Sequence, residues 1–362
     1  MLYQKIIRPI LFRFDPEKVH NFTLKLLSVL DKSHFLNNIL FKTKNFTSPR
    51  IKQKIWGLYF RTPIGLTAGM DKNATASTAW SAFDFGWAQI GSITYQAQPG
   101  NTKPRLWRLP QDKGIVVYYG IPNIGAQAVA DKLTKTTNHR GLLSISIAKT
   151  SKVVMQDAAA DYAESFKILE SHGDIITLNL SCPNVEDFSG LQRRETLEPI
   201  LQKITSLNKN NKAIWLKISY DLSKQQLDDI ISLAKQYNIA AIVAVNLAKD
   251  KSSLKLKSKY KNKPGGVSGK IISEHANKVI SYLYKNSANK FKIIGVGGIF
   301  SGQDAFEKIK AGAHLLQIAT GFIYNGPCSI KKINQDLDKL LIKNNFTHIS
   351  QAVGLEADKY NL

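Results

Sequence analysis

The amino-acid sequence predicts an α/β protein: a (β/α)8 TIM barrel formed by residues 46–362, with a small N-terminal helical domain of residues 1–45. Three observations lead there. From about residue 56, short β-branched runs alternate with amphipathic stretches, and roughly eight such βα units are the arithmetic of a closed barrel. Chemically useful residues stand at the ends of those runs, at Lys72, Asn179, Lys217, Asn246, Gly297 and Thr320. A barrel gathers its strand ends on one face. The first 45 or so residues instead show helical spacing and are too few to bury a core of their own. A doubly wound open sheet is the alternative with this element order.

In chain order, Ile6, Ile10 and Phe14 fall at helical spacing, with Lys5, Arg8 and Arg13 among them. Asp15-Pro16-Glu17 then reads as a helix start, with Asp15 as N-cap and Pro16 at the first helical position. That helix carries His20, Phe22, Leu24, Leu26, Leu27 and Leu30. A short, apolar, basic helical pair fits an interfacial membrane anchor or the mouth of an apolar ligand site; the plainer reading is a cap packed on the barrel. No uninterrupted apolar run of about 18 residues and no signal-peptide core are present, so neither a membrane span nor secretion is expected.

The barrel strands are expected at Ile64 to Ala68, Ala88 to Ile93, Leu142 to Ile147, Ile175 to Leu180, Ala213 to Ile218, Ala240 to Asn246, Lys292 to Val296 and His314 to Ile318. Helical patterns such as Asp157 to Leu169, Ser223 to Tyr237 and Gly302 to Ala311 lie between them. Composition narrows the partners. Lys+Arg 50 against Asp+Glu 27 gives a net charge of +23, which favours an anionic partner: membrane surface, acidic metabolite or nucleic acid. Abundant Lys, Asn and Ile account for part of that charge, and the Lys-rich stretch Lys249 to Lys263 reads as a solvated lid, so nucleic acid is not expected. Cys182 and Cys328 are the two cysteines; they make neither a disulfide framework nor a zinc spacing, which fits a reducing cytoplasm and no metal.

Four stretches carry chemistry. Asp174-Ile175-Ile176-Thr177-Leu178 is a buried-strand run ending in Asn179-Leu180-Ser181-Cys182-Pro183-Asn184, which delivers two amides, a hydroxyl and a thiol to one loop. Gly65 to Asn73 ends the first strand in small residues on which a flat ring can lie, with Lys72 following to pair with a carboxylate. Ile293-Ile294-Gly295-Val296-Gly297-Gly298-Ile299 offers bare backbone amides to an anion, and Ser301 can cap the next helix. Ala319-Thr320-Gly321 adds amides and a hydroxyl at the end of the last strand, where this fold commonly holds phosphate.

These residues match a known pattern. The chain resembles dihydroorotate dehydrogenases of the quinone-dependent class (class 2) over nearly its whole length. The resemblance rests on Phe14 to His20, Gly65 to Asn73, Gln98 to Leu109, Asn179 to Asn184, Trp215 to Ile218, Gly266 to Gly269, Gly295 to Ile299 and Gln317 to Pro327. It implies an FMN-binding barrel that oxidises dihydroorotate to orotate in pyrimidine biosynthesis, a quinone acceptor reached through the helical pair, and peripheral attachment to an anionic membrane at its cytoplasmic face. By the same resemblance Cys182 is the catalytic base, and Lys72, Asn179, Asn184 and Asn246 contact substrate. Ala68, Gly69, Ser92, Ser146, Asn179, Lys217, Gly269, Gly297, Gly298, Thr320 and Gly321 contact FMN, and His20 and Arg108 form a quinone-side pair.

The chain also departs from the pattern. Class 2 members use serine as the base, whereas the Asn179 to Asn184 turn has the wording of the soluble class 1 enzymes, which use cysteine, and the Gly120-Ile121-Pro122-Asn123 loop is a hybrid of the two. A thiol, with an ordinary pKa near about 8.5, is expected to need little tuning to act as a base near neutrality. An asparagine that reads the pyrimidine is Val117, the hydroxyl residue after the last substrate asparagine is Leu247, an FMN-contacting asparagine is Ser146, and a tyrosine near phosphate and quinone is Ala319. Each lost polar contact costs roughly 1–3 kcal/mol. An alternative reading is therefore a diverged FMN-dependent oxidoreductase acting on a different, less polar carboxylate.

Overall fold

A computed structural model describes residues 2–32, 45–136, 141–185 and 188–362. The chain enters through Tyr3–Ile7, wound as a π-helix, and α1 (Arg8–Leu11). Pro9 lacks the N–H that an α-helix would bond to residue 5, and the looser turn precedes it. Phe14, expected on the same helical stripe as Ile6 and Ile10, lies beyond the helix end. Next comes α2 (Pro16–Lys32), whose start is capped as expected: the Lys18 N–H donates to Asp15 Oδ1 at 2.8 Å. The expected domain boundary at residue 45 abuts 33–44, outside the described residues.

Two carboxylates tie α2 to the barrel. Glu17 accepts from Arg105 Nη2 at 2.8 Å and from its Nε at 3.1 Å. Asp31 accepts from the N–H groups of Thr78 and Ala79 at 2.7 and 2.9 Å, capping the 3-10 turn Ala79–Phe83. Among the described residues, no helix is long and apolar enough to cross a membrane.

A hairpin of β1 (Gln53–Ile55) and β2 (Leu58–Phe60) precedes the barrel, which begins with β3 (Ile64–Leu66) and β4 (Trp87–Ile93). The chain then leaves the barrel for an antiparallel pair, β5 (Leu106–Leu109) and β6 (Gly114–Val117), before returning through β7 (Leu142–Ile147), β8 (Ile175–Asn179), β9 (Ala213–Lys217) and β10 (Ala241–Ala244). A second excursion supplies β11 (Gly266–Gly269), which joins β6, and β12 (Lys292–Val296) and β13 (Leu315–Ile318) close the ring. The eight parallel strands β3, β4, β7, β8, β9, β10, β12 and β13 form a closed barrel, with β13 pairing back to β3. The open sheet is excluded. Strand limits differ from expectation by a few residues, mostly at C-terminal ends, where the chain turns into the loops of the site.

Strand alternation sorts the barrel interior by height. Along β9 the inward positions are Ala213, Trp215 and Lys217; along β8 they are Ile175, Thr177 and Asn179. At the bottom Trp215 meets Trp87 edge to face at 5.0 Å, with Trp56 and Phe60 of the hairpin against them. In the middle layer Gln89 Nε2 donates to Thr177 Oγ1 at 2.6 Å and Ser144 Oγ at 3.0 Å, and Gln89 Oε1 accepts from Gln317 Nε2 at 3.0 Å. The top layer carries Lys217 and Asn179. The outward residues of the same strands, Ile176, Leu178, Ile214 and Leu216, pack under the surrounding helices. One of those helices, Lys224–Gln236, starts with a capping box at Ser223, and another, Gly302–Lys310, is capped by Ser301 as expected.

Candidate active site

The barrel mouth closes over a cavity of about 190 Å³, roofed by the β5–β6–β11 sheet and edged by α2. Of the expected site residues, Cys182, Lys72, Asn179, Asn184 and Asn246 line it, with Ala68, Gly69, Ser92, Lys217, Gly297, Gly298, Thr320, Gly321 and His20. Ser146 stands one layer back, its hydroxyl 2.8 Å from that of Ser92. Gly269 ends β11 against Gly114 and does not line the cavity. Arg108 is separated from His20: it lines a neighbouring cavity of about 650 Å³ between the helical pair and β5, donates from Nη1 to the Phe14 carbonyl at 2.8 Å and lies 4.6 Å over the Phe12 ring.

Ser181 is the hub that shapes the Cys182 turn. Its N–H and hydroxyl donate to Asn179 Oδ1 at 3.3 and 3.2 Å, and Asn246 Nδ2 donates to its carbonyl at 2.9 Å and its hydroxyl at 3.0 Å. Asn179 Nδ2 in turn donates to Ser92 Oγ at 2.8 Å, and Asn246 Oδ1 accepts from the Leu247 N–H at 2.9 Å. Asn179 and Asn246 thus brace the loop. Asn184 differs: Asn101 Nδ2 donates to its backbone carbonyl at 2.9 Å, while its buried side-chain Oδ1 has no partner among the described residues. A buried acceptor left unpaired costs about 1–3 kcal/mol, so a ligand donor there is favoured. The buried Tyr119 hydroxyl, also in the cavity wall, is unpaired in the same way.

Burial changes the expected acid–base balance. The Cys182 thiol, 8% exposed, is pushed up to about 11 by desolvation, against the pull of the Asn184 and Val185 N–H groups and the Lys217 charge. The expectation of a thiol needing little tuning is corrected: in this pocket it is protonated at neutral pH. Desolvation lowers Lys217 to about 8. Its ammonium donates to Thr67 Oγ1 at 3.1 Å, and that hydroxyl donates onward to Gln317 Oε1 at 3.2 Å, joining the interior ladder.

Lys72 is placed by Asp71, which accepts from the N–H groups of Thr75 and Ala76 at 2.8 and 2.9 Å and so fixes the loop. The Lys72 ammonium donates to the Gly69 carbonyl at 2.9 Å and lies 4.2 Å over the Tyr119 ring; burial lowers its pKa to about 8.

The walls suit a flat ring carrying a phosphate. A Cβ on Gly69 would meet no atom within 4 Å, so its absence widens the cavity beside Ala68, whereas a Cβ on Gly298, at φ +79°, would run into Ser273. Lys217 provides an inward cation with no carboxylate within 4.0 Å among the described residues. These features fit FMN. Val117 and Leu247, the apolar replacements, line the same cavity and meet through Gly266: Val117 pairs with it across β6–β11, and a Cβ on Gly266 would lie 2.6 Å from Leu247 Cβ. Residues that motif reading did not single out are Thr67, Gln317, Asn101 and Tyr119; Asn101 sits in the quoted Gln98 to Leu109 stretch, and Tyr119 directly precedes the Gly120 loop.

Residues 50–341 match the family model described as dihydroorotate dehydrogenase. The dihydroorotate dehydrogenase (quinone) of Crocosphaera subtropica is 41% identical over 358 residues, covering 94% of each chain. The enzyme of that name from Nostoc punctiforme is 38% identical over 369 residues, covering 98% of each. Among solved structures, the ligand-free DHODH of Eimeria tenella superposes with a TM-score of 0.86 at 28% identity, covering 94% of this chain and 99% of that one.

Proposed function

This chain belongs to the dihydroorotate dehydrogenase family, and we propose that it oxidises dihydroorotate to orotate with bound FMN and a quinone acceptor, using Cys182 as the base. The observation that carries the assignment of roles is the convergence in one cavity of a buried thiol, the Lys72 and Lys217 ammonium groups and the unpaired side-chain Oδ1 of Asn184.

Lys72 takes the substrate carboxylate, the only strong anion of dihydroorotate, and Asn184 Oδ1 accepts from a ring N–H. Ser181, held from both sides by Asn179 and Asn246, fixes the loop so that Cys182 Sγ receives the C5 proton. FMN, when bound, supplies the acceptor for the hydride leaving C6 and is reoxidised by quinone. Lys217 would lie toward the electron-rich ring of that cofactor, and Gly297, Gly298, Thr320 and Gly321 would hold its phosphate. Ser92, with Ser146 behind it, ties Asn179 to the barrel wall.

The Cys182 thiol has to lose its proton before it can accept one, and the Lys217 charge together with the Asn184 and Val185 N–H groups favours that loss. The helical pair forms the quinone entrance, with His20 at the inner end of the path and Arg108 at the outer cavity, and it seats the protein peripherally on the cytoplasmic face of the membrane. Purified protein is expected to be yellow and to reduce quinone with dihydroorotate. Cys182→Ala nearly abolishes this and Cys182→Ser leaves weak activity; full activity in Cys182→Ala overturns the assignment.

A further inference from the structure

The basic strap that follows β10 is built as a display surface. From Leu254 to Tyr260 its residues alternate: Leu256 and Ser258 are buried and Tyr260 half-buried, while Lys255, Lys257, Lys259 and Lys261 are exposed. The inward side packs on Trp107, Leu109, Val116 and Val267, the small core of the β5–β6–β11 sheet. Asp112 pins the backbone, accepting from the Lys257 N–H at 2.9 Å and the Ser258 N–H at 3.0 Å. Residues 249–263 hold seven lysines and one aspartate, and none of the four alternating ammonium groups has a carboxylate within 4.0 Å among the described residues. The alternation gives the strap one dry and one charged side, carried on a backbone that turns at Leu254–Leu256 and again at Ser258–Lys261.

The strap adjoins exposed apolar surface. Leu2, Ile6 and Ile10, four residues apart, are 64%, 54% and 51% exposed, and Phe22, Leu26 and Val29 form a second exposed stripe along α2. The cavity around Arg108 is lined by Arg13 and Phe14 on one side and by Ser258, Lys259 and Tyr260 on the other, so the strap and the helical pair share a rim.

We propose that the Lys255–Lys261 strap and the apolar stripes of the helical pair form one bipartite surface for an anionic phospholipid bilayer, with the lysines on headgroup phosphates and the apolar side chains in the acyl boundary. This rests on the peripheral membrane reading above and adds the barrel's own contribution to it. Charge complementarity selects the occupant: cations near an anionic leaflet add attraction, and apolar side chains alone do not distinguish lipids by charge. The strap starts directly after Asn246 and Leu247 and returns through Ser268, whose hydroxyl is 2.9 Å from that of Thr320. The lipid-facing segment and the catalytic mouth are therefore one continuous piece of chain.

The test is vesicle sedimentation of the full-length FMN-loaded protein, with phosphatidylcholine alone and with added phosphatidylglycerol. Wild type is expected on the anionic vesicles and to leave them as salt rises. K255Q/K257Q/K261Q, which leaves the Lys259 that lines the Arg108 cavity in place, is expected to bind them about a hundredfold more weakly while keeping its activity with a water-soluble acceptor. I6Q/I10Q/F22Q should lose binding to both vesicle types. A triple lysine variant that binds anionic vesicles like wild type overturns the strap's role and leaves the peripheral reading standing. Wild type that binds no vesicles overturns both, and strap-dependent retention by RNA without vesicle binding reassigns the surface to nucleic acid.

Discussion

Lys72 Nζ lies 3.2 Å from His20 Nε2, so the residue assigned to the substrate carboxylate is held by the helical pair as well as by its own loop. Burial and the Lys72 charge push His20 down to about 3, which leaves its ring neutral and able to accept from the ammonium. His20 is thus a positioning residue for Lys72 in addition to the quinone-side place proposed for it. His20→Ala is expected to raise the KM for dihydroorotate by about fivefold, the worth of one hydrogen bond, with a smaller change in kcat when a soluble acceptor replaces quinone. His20→Gln should recover part of the loss. A change confined to the KM for quinone would contradict the coupling.

The pH profile follows from the opposed shifts of thiol and lysines. Cys182, raised to about 11, must be deprotonated to act, so kcat/KM rises with pH through the neutral range. Lys72 and Lys217, each lowered to about 8, lose their charge as pH climbs further, which in their proposed roles is expected to weaken substrate and cofactor binding. The expected profile is a bell with its maximum on the alkaline side, near about pH 9. A flat profile between pH 6 and 9 would show that thiol deprotonation does not limit the step.

Val117 and Leu247 form a joint apolar wall through Gly266. Restoring a polar group there should recover a substrate contact: Val117→Asn is expected to tighten orotate binding by roughly 5- to 100-fold, corresponding to about 1–3 kcal/mol. Perturbation of the flavin spectrum on orotate addition measures it. Unchanged affinity would mean that Asn184 and Lys72 already satisfy the ring.

Lys308 offers a stability test away from the site. It is fully buried, its ammonium donates to Asn277 Oδ1 at 2.7 Å, and burial lowers it to about 7. Between pH 7 and 10 the unfolded chain holds more protons at this lysine than the folded one, so its contribution to stability increases with pH there. The thermal midpoint should rise from pH 7 to 9, and Lys308→Met should flatten that rise and stabilise the protein at pH 6–7. Lys72 and Lys217 act in the same direction and leave a residual slope. A Lys308→Met variant with an unchanged slope would place the charge elsewhere.

The parallel barrel was legible because its strands are contiguous β-branched runs separated by amphipathic helices, and the glycine turns after β12 and β13 mark their own ends. The roof was not. β5, β6 and β11 are four residues each, and β11 joins its partner from about 150 residues further along the chain, so no local periodicity reveals the sheet. The same cause hid the shared approach of Val117 and Leu247 to Gly266. The side chain of Cys182 was identified by its turn, but its thiol pKa depends on burial that the sequence does not state. His20 and Arg108 share a place in the motif pattern and still open on different cavities, because α2 is clamped at Glu17 and Asp31 while Arg108 is drawn to the carbonyl of Phe14.

The proposed role of Cys182, taking the proton as dihydroorotate is oxidised, is tested most directly by anaerobic mixing with dihydroorotate, followed at the flavin absorbance band. The wild-type band is expected to bleach in a single turnover. Cys182→Ala should retain FMN and bind orotate yet bleach about a hundred- to ten-thousandfold more slowly, the range for loss of a general base. Bleaching at the wild-type rate in Cys182→Ala would contradict the account.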